Sequence, residues 1–328
     1  MAHILPPKAI LSPAALGMPA TPVILYHYEE SPYSKLIQWY LNLRRIPYYQ
    51  TLKSYAPVNP DLKSCLGIQD PSFPVLCIGR DVYYDVHIMM SALDRIFPPS
   101  SMHPNLRGNE TWRDIADLLR DLVDLTRGDL ENIIATFPSP YVGDAAREGK
   151  KTAAESVRKY LYNGIEVLLT DGRWWVENTQ SPTLLDLHLA WPLYWLCSIP
   201  DAFPSEFIDK ASLRGTFAWF DRFKQFIEAP HIRYNPPTLE GYQAAIMATE
   251  APFAEPEGNV PPHITQHFQC VKGSTVQTWR INRNPTTGDK GKLVSMEGGQ
   301  GVIEVEGMYG SIRLHMPSSK SGLQKVSD

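Results

Sequence analysis

The chain has 328 residues, 43% hydrophobic and 20% charged, with a formal net charge of −4 at neutral pH. That length suffices for roughly two ordinary domains, and the near-balanced charge argues against a general nucleic-acid binder, which would carry a strongly basic face. No apolar run reaches the ~20 residues needed to span a bilayer, and prolines interrupt the opening MAHILPPKAILSPAALGMPATP before a signal-peptide core can form, so residues 1–21 read as a tail or strap. Four scattered cysteines, Cys65, Cys77, Cys197 and Cys270, form no CxxC pair, which predicts a reducing, cytoplasmic compartment and no disulfide framework.

Residues 22–99 alternate short β-like runs with helical ones. Residues 22–26 (PVILY) read as a strand, and a polar turn follows at 27–31. Residues 32–45 place Leu36, Trp39, Tyr40 and Leu43 at helical spacing. Pro47 stops this helix, and residues 48–52 read as a second strand. Residues 74–78 and 82–84 flank Gly79-Arg80-Asp81 as a hairpin, and residues 85–97 form a helix ended by Pro98-Pro99. The order is β-α-β, then a hairpin and a helix.

Residues 105–228 read as helical almost throughout, with long apolar-faced stretches at 109–137, 144–171 and 207–227. Thr183-Leu184-Leu185-Asp186 resembles a capping box, and the apolar stretch after it predicts a buried helix. Residues 229–262 form a proline-rich connector with one helix at 239–249. Residues 263–317 switch period: 276–281, 302–306 and 311–315 alternate between glycine-rich turns, predicting a small antiparallel β unit. The last residues, 318–328, read as a disordered tail.

The segments at residues 31–34, 72–76, 173–176 and 181–186 form three motifs that together resemble the glutathione transferase superfamily over residues 22–230, about two-thirds of the chain. Ser31-Pro32-Tyr33-Ser34 is similar to the CPYC or CPFS segment of glutaredoxins and omega-type transferases, with serine leading as in serine-type members. Ser72-Phe73-Pro74-Val75-Leu76 is similar to the VPVL segment, whose proline is cis. Arg173-Trp174-Trp175-Val176 with Ser181-Pro182-Thr183-Leu184-Leu185-Asp186 is similar to the family's helix-six signature, without its usual Gly and Ala. The resemblance implies an α/β thioredoxin-like domain followed by an all-helical domain, to which the small C-terminal β unit is added.

The resemblance also implies a site that binds glutathione. A Ser31 hydroxyl among the unpaired N–H groups of a helix start can donate to a bound thiolate and lower its pKa, with Tyr33 beside it. The same residue reads as an ordinary N-cap with Pro32 at the first helical position. Phe73, preceding Pro74, offers its backbone to the cysteinyl part of the peptide. Asp85 takes the γ-glutamyl ammonium, or is simply another N-cap, and Val86 stands where the family has a serine or threonine hydroxyl. The implied second pocket, for a partly apolar substrate, draws on Tyr28, Trp112, Arg113, Ala116 and Arg120. A homodimer through the hairpin and the helical domain is also implied, unless the extra unit blocks that surface.

Other chemistry lacks its pattern. His263-x-x-x-His267 has no HExxH context, and GxSxG, P-loop and GxGxxG motifs do not occur. Neither a metal, a nucleic acid nor a membrane is expected as partner. The activity that the resemblance implies is the addition of glutathione to an electrophilic small molecule, or its transient use in isomerisation or elimination. The extension is similar to that of fungal transferase-like proteins of secondary metabolism, which implies a pathway intermediate as substrate. Two alternatives stay open: a glutathione-independent isomerase, cyclase or dehydratase using His27, Tyr28, Glu29 and Asp85, and a non-catalytic binding protein.

Overall fold

The computed structural model describes residues 20–29, 31–53, 60–108, 155, 157–198, 209–281 and 284–326. They divide into two units, one of residues 1–37, 46–98 and 235–328 and the other of residues 38–45 and 99–234.

The first unit is built on one mixed sheet. Its described strands are β1 (Val23–His27), β2 (Tyr49–Leu52), β3 (Val75–Ile78), β4 (Asp81–Tyr83), β5 (Thr275–Arg280), β6 (Asp289–Glu297), β7 (Gln300–Gly307), β8 (Gly310–Pro317) and β9 (Ser321–Lys325). They lie in the order β2-β1-β3-β4-β8-β7-β6-β5-β9. All five residues of β1 and all four of β3 are buried, as the near-continuous apolar runs of interior strands require. Helix α1 (Pro32–Leu43) carries the chain from β1 to its parallel neighbour β2. Between β3 and β4 the chain reverses at Gly79, whose φ of +56° suits glycine. A Cβ there would also run into the carbonyl of Pro252. Helix α2 (Val86–Ile96) follows, burying Ile88, Met89, Met90, Ala92 and Leu93. This is the β-α-β, hairpin and helix order that the sequence pattern predicts and the thioredoxin-like order that the resemblance implies.

The C-terminal strands continue that same sheet. β8 pairs in parallel with β4, placing Asp81, Val82 and Tyr83 opposite Arg313, Leu314 and His315. β4 thus has a partner on both sides, and the outer edge of the hairpin, where the resemblance implied a dimer contact, is occupied by the chain's own β8. The pairings from β5 to β9 are antiparallel, as expected for the added unit. Two of its strands carry no alternation in the sequence. β6 opens on Asp-Lys-Gly-Lys, and β9, read as part of a disordered tail, is Ser-Gly-Leu-Gln-Lys. β9 corrects that reading: it is an ordered edge strand paired with β5 from Val276↔Lys325 to Arg280↔Ser321. Edge strands need no second buried face, so a polar sequence suffices.

A polar cluster fastens the join. Asp81, fully buried, accepts hydrogen bonds from the N–H groups of Ala254 (2.6 Å) and Glu255 (3.0 Å) and lies 2.8 Å from His315 Nε2. The His315 ring stacks on Tyr83 with centroids 4.5 Å apart, and the Tyr83 hydroxyl donates to Glu255 at 2.8 Å. Phe253 of the connector lies between two guanidinium groups, Arg80 at 4.3 Å and Arg313 at 3.9 Å from its ring centre. The connector's helix, α6 in chain order (Gly241–Glu250), packs on the π-helical turn Asp61–Cys65. Upstream of it, Thr238 bridges Gln50 on the outer edge of β2.

In the second unit the described helices are a π-helical segment Tyr160–Glu166 running into α3 (Val167–Leu169), then α4 (Leu184–Ser198) and α5 (Arg214–Ile227). The stretch expected as a helix at 109–137 lies outside the described residues. α4 is buried on nearly every side, as its all-round apolarity predicts. At its start, the fully buried Asp186 accepts from Thr183 N–H (2.9 Å), Thr183 hydroxyl (3.0 Å), Val176 N–H (3.0 Å) and Trp219 Nε1 (2.8 Å). The carboxylate bonds back to Thr183 as a capping box predicts, and the hydroxyl turns to the same carboxylate. Among the described residues no helix is long and apolar enough to cross a membrane.

Candidate functional site

The strand register decides which candidate residues meet. Tyr26 of β1 sits opposite Val75 of β3, Leu76 opposite Tyr83 of β4, and Tyr83 opposite His315 of β8. The end of β1, the start of β3 and the ends of β4 and β8 therefore share one end of the sheet. Ser31 follows β1, Phe73 and Pro74 precede β3, Asp85 follows β4, and residues 318–320 follow β8. Neighbouring strands are spaced ~5 Å apart, so four loops converge along one short rim.

Ser31 is 7% exposed. Its N–H donates to the Tyr28 carbonyl at 3.2 Å, and its Oγ accepts from Ser34 N–H at 3.3 Å. It caps α1, with Pro32 as the first helical residue. An accepting hydroxyl keeps its own proton to donate, so the cap and a thiolate contact are compatible. Tyr33 is half-buried on the first turn of α1, and the Tyr28 ring packs on Phe73 with centroids 4.5 Å apart. The Phe73–Pro74 peptide is cis.

Asp85 caps α2. Its Oδ1 accepts from His87 N–H at 3.0 Å and Ile88 N–H at 3.3 Å, while Oδ2 lies 3.3 Å from Lys320 Nζ. Its side chain is 15% exposed, that of Lys320 48%. Val86, the first residue of α2, contributes no hydroxyl. Next to this pair, the Arg280 guanidinium sits 5.0 Å from the centre of the Tyr84 ring.

The loop that carries Phe73 is gripped from the added strands. Asp289, at the start of β6, accepts from Gln69 N–H at 2.6 Å. Burial, only partly offset by its backbone hydrogen bonds, pushes the Asp289 carboxyl up to about 6. His27 is buried, with Nε2 3.1 Å from Gln50 Oε1 and Nδ1 3.2 Å from the Tyr28 carbonyl, and burial lowers its pKa, holding the ring neutral. These contacts make His27 a packing residue between β1 and β2 instead of an acid–base group facing solvent.

Trp112, Arg113, Ala116 and Arg120 lie outside the described residues. Lys320, Asp289 and Arg280 have no local signature in the sequence; only the parallel pairing of β8 with β4 brings them to this rim. The first unit also has a groove of about 850 Å³, lined in part by Lys63, Thr275, Thr286, Lys290, Lys292 and Glu304. Its lining includes none of the residues singled out from the sequence.

Comparison with known proteins follows the same division. Residues 25–101 match the family described as "Glutathione S-transferase, N-terminal domain". Residues 133–231 match a domain of unknown function, DUF7962. No curated protein matches the sequence. Among solved structures, a GST-like protein from Pseudomonas syringae is 18% identical, with a TM-score of 0.70 over 93% of this chain and 100% of its own. That alignment leaves too little of the chain out to omit the strands after residue 275. The Tau class glutathione S-transferase MiGSTU from mango, Mangifera indica, is 21% identical, with a TM-score of 0.50 over 64% of this chain and 90% of its own. The chain thus carries a glutathione S-transferase N-terminal domain and has the fold of the glutathione transferase superfamily, with a C-terminal sheet added to it.

Proposed function

We propose that the protein is a glutathione-dependent enzyme acting on an electrophilic, partly apolar small molecule in the cytoplasm. The observation that carries this reading is the convergence of Ser31, Phe73 and Asp85 on one end of the sheet, two of them capping the helices that start there. Glutathione lies along this rim, its cysteinyl backbone against Phe73 and its γ-glutamyl ammonium toward Asp85. The Ser31 hydroxyl and the positive end of α1 favour the thiolate over the thiol. The sulfur then forms a bond to the electrophilic carbon. A leaving group departs with its electron pair, or, in addition across a double bond, the π pair moves to the neighbouring carbon and that carbon takes up a proton; the thiol proton passes to solvent. Because β8 fills the hairpin edge, any dimer is built without strand pairing there.

A thiol free in water has a pKa of about 8.5. Titrating the thiolate absorbance of enzyme-bound glutathione tests the proposal. The wild type is expected to lower that value by at least about one unit, and Ser31→Ala to return it toward the free value while still binding. A bound thiol that titrates as in free solution would refute the reading. The absence of a hydroxyl at Val86 favours a second reading, in which the same rim serves a glutathione-independent isomerase, cyclase or dehydratase. Retained turnover of a substrate in glutathione-free buffer would distinguish it.

A further inference from the structure

We propose that Lys320, delivered by the C-terminal sheet, is the specificity-determining residue that receives the γ-glutamyl α-carboxylate of glutathione, taking over from the hydroxyl that Val86 lacks. The inference rests on the glutathione reading of the rim and adds to it a residue from outside the transferase domain.

The γ-glutamyl end of glutathione is a zwitterion, an ammonium and a carboxylate on one carbon. Asp85 offers a partner for the first only. The helix start beside it, which could otherwise receive an anion, has its His87 and Ile88 N–H groups turned to Asp85 Oδ1. Val86 adds no side-chain donor, only its own main-chain N–H. A cation is nonetheless present: Lys320 Nζ stands 3.3 Å from Asp85 Oδ2. One of its three N–H donors points to Asp85, and its side chain is 48% exposed, leaving the head group open to a ligand.

Lys320 is held in place from both sides. It closes the single turn Ser318–Lys320 after β8 and immediately precedes β9. Its carbonyl accepts from Ile281 N–H at 3.1 Å, and Ser321 pairs with Arg280 across the β5–β9 ladder. With the Lys320 backbone anchored in this way, the Asp85–Lys320 pair presents a negative and a positive charge side by side, the complement of an amino-acid zwitterion. A lone Asp85 would present only half of that pattern.

The test measures binding of two ligands by calorimetry: glutathione, and 4-aminobutanoyl-cysteinyl-glycine, which has the same skeleton without the α-carboxylate. Lys320→Gln should weaken glutathione roughly ten- to hundred-fold, the loss expected for a charge-assisted hydrogen bond. It should leave the decarboxylated analogue within about two-fold, since the lost bond is one the analogue never makes. Lys320→Arg, which keeps the charge, should restore most of the glutathione affinity. If Lys320→Gln binds glutathione as the wild type does, or weakens both ligands alike, Lys320 is not the carboxylate partner and the inference is overturned while the glutathione reading stands. Tighter glutathione binding by Lys320→Gln also overturns it, since Lys320 would then compete for Asp85. A wild type that binds neither ligand at several millimolar refutes the glutathione reading itself, and the inference with it.

Discussion

The C-terminal strands continue the thioredoxin-like sheet through the β4–β8 pairing, and Asp81 sits at that join. The carboxylate is fully buried at the β4–β8 join and faces the N–H groups of Ala254 and Glu255 and the ring of His315. Asp81→Ala removes the acceptor and leaves these groups without it. A buried donor left unpaired costs about 1–3 kcal/mol. Ala254 and Glu255 are half-buried, so water can partly relieve them, and the low end of that range applies to each. The expected loss is about 3–4 kcal/mol, a large share of the ~5–15 kcal/mol typical of a folded domain. Asp81→Asn keeps one acceptor oxygen and should lose about 1–2 kcal/mol. As a control, Asp221→Ala breaks only an exposed pair with Lys224 and should cost no more than about 0.5 kcal/mol. Urea unfolding gives the magnitudes, and hydrogen exchange gives the location. In Asp81→Ala, peptides covering β3–β4 and β8 should lose protection together. A loss below about 1 kcal/mol, or β8 loosening while β3 and β4 keep full protection, would refute a continuous sheet.

Two further outcomes follow from buried carboxylates. Asp186→Ala strips four hydrogen bonds at the start of α4 and should cost about 3–5 kcal/mol by chemical denaturation, with Asp186→Asn losing less; an effect under about 1 kcal/mol would contradict a structural role. Asp289 titrates from an ordinary 3.8 up to about 6 in the folded protein, so folding favours its neutral form. Its contribution is fully present below the lower value and is lost as pH rises through the higher one, a swing of about 3 kcal/mol. Asp289→Asn, neutral throughout, should therefore gain thermal stability relative to wild type as pH rises from 4 to 7, and a difference that stays constant with pH would refute the assignment.

Much of the first unit was legible because its signals are local. The run Val23-Ile24-Leu25-Tyr26, the helical spacing of Leu36, Tyr40 and Leu43, and the turn at Gly79 each depend on neighbours a few residues away. Ser31 and Asp85 could be read as caps, and both cap. What escaped was whatever depends on distant pairing. β6, which opens on four polar or glycine residues, and the polar β9 show no alternation, and their strand character comes from pairing, β6 between β5 and β7 and β9 along β5. The choice of β4 as the partner of β8 joins residues more than two hundred positions apart, beyond any periodicity. Lys320 followed from that choice: nothing around Ser318-Ser319-Lys320 distinguishes it from a solvated tail until its ammonium is found beside Asp85.

The most direct test of the central claim is a calorimetric titration of the purified full-length protein with glutathione, repeated with Asp85→Ala after confirming by circular dichroism that the variant is folded. Removing this cap costs α2 only about 1 kcal/mol, so the variant should survive the comparison. Saturable binding in the micromolar-to-millimolar range is expected, weakened at least about ten-fold in the variant. No heat of binding at several millimolar glutathione, or equal affinity in the two proteins, would contradict it.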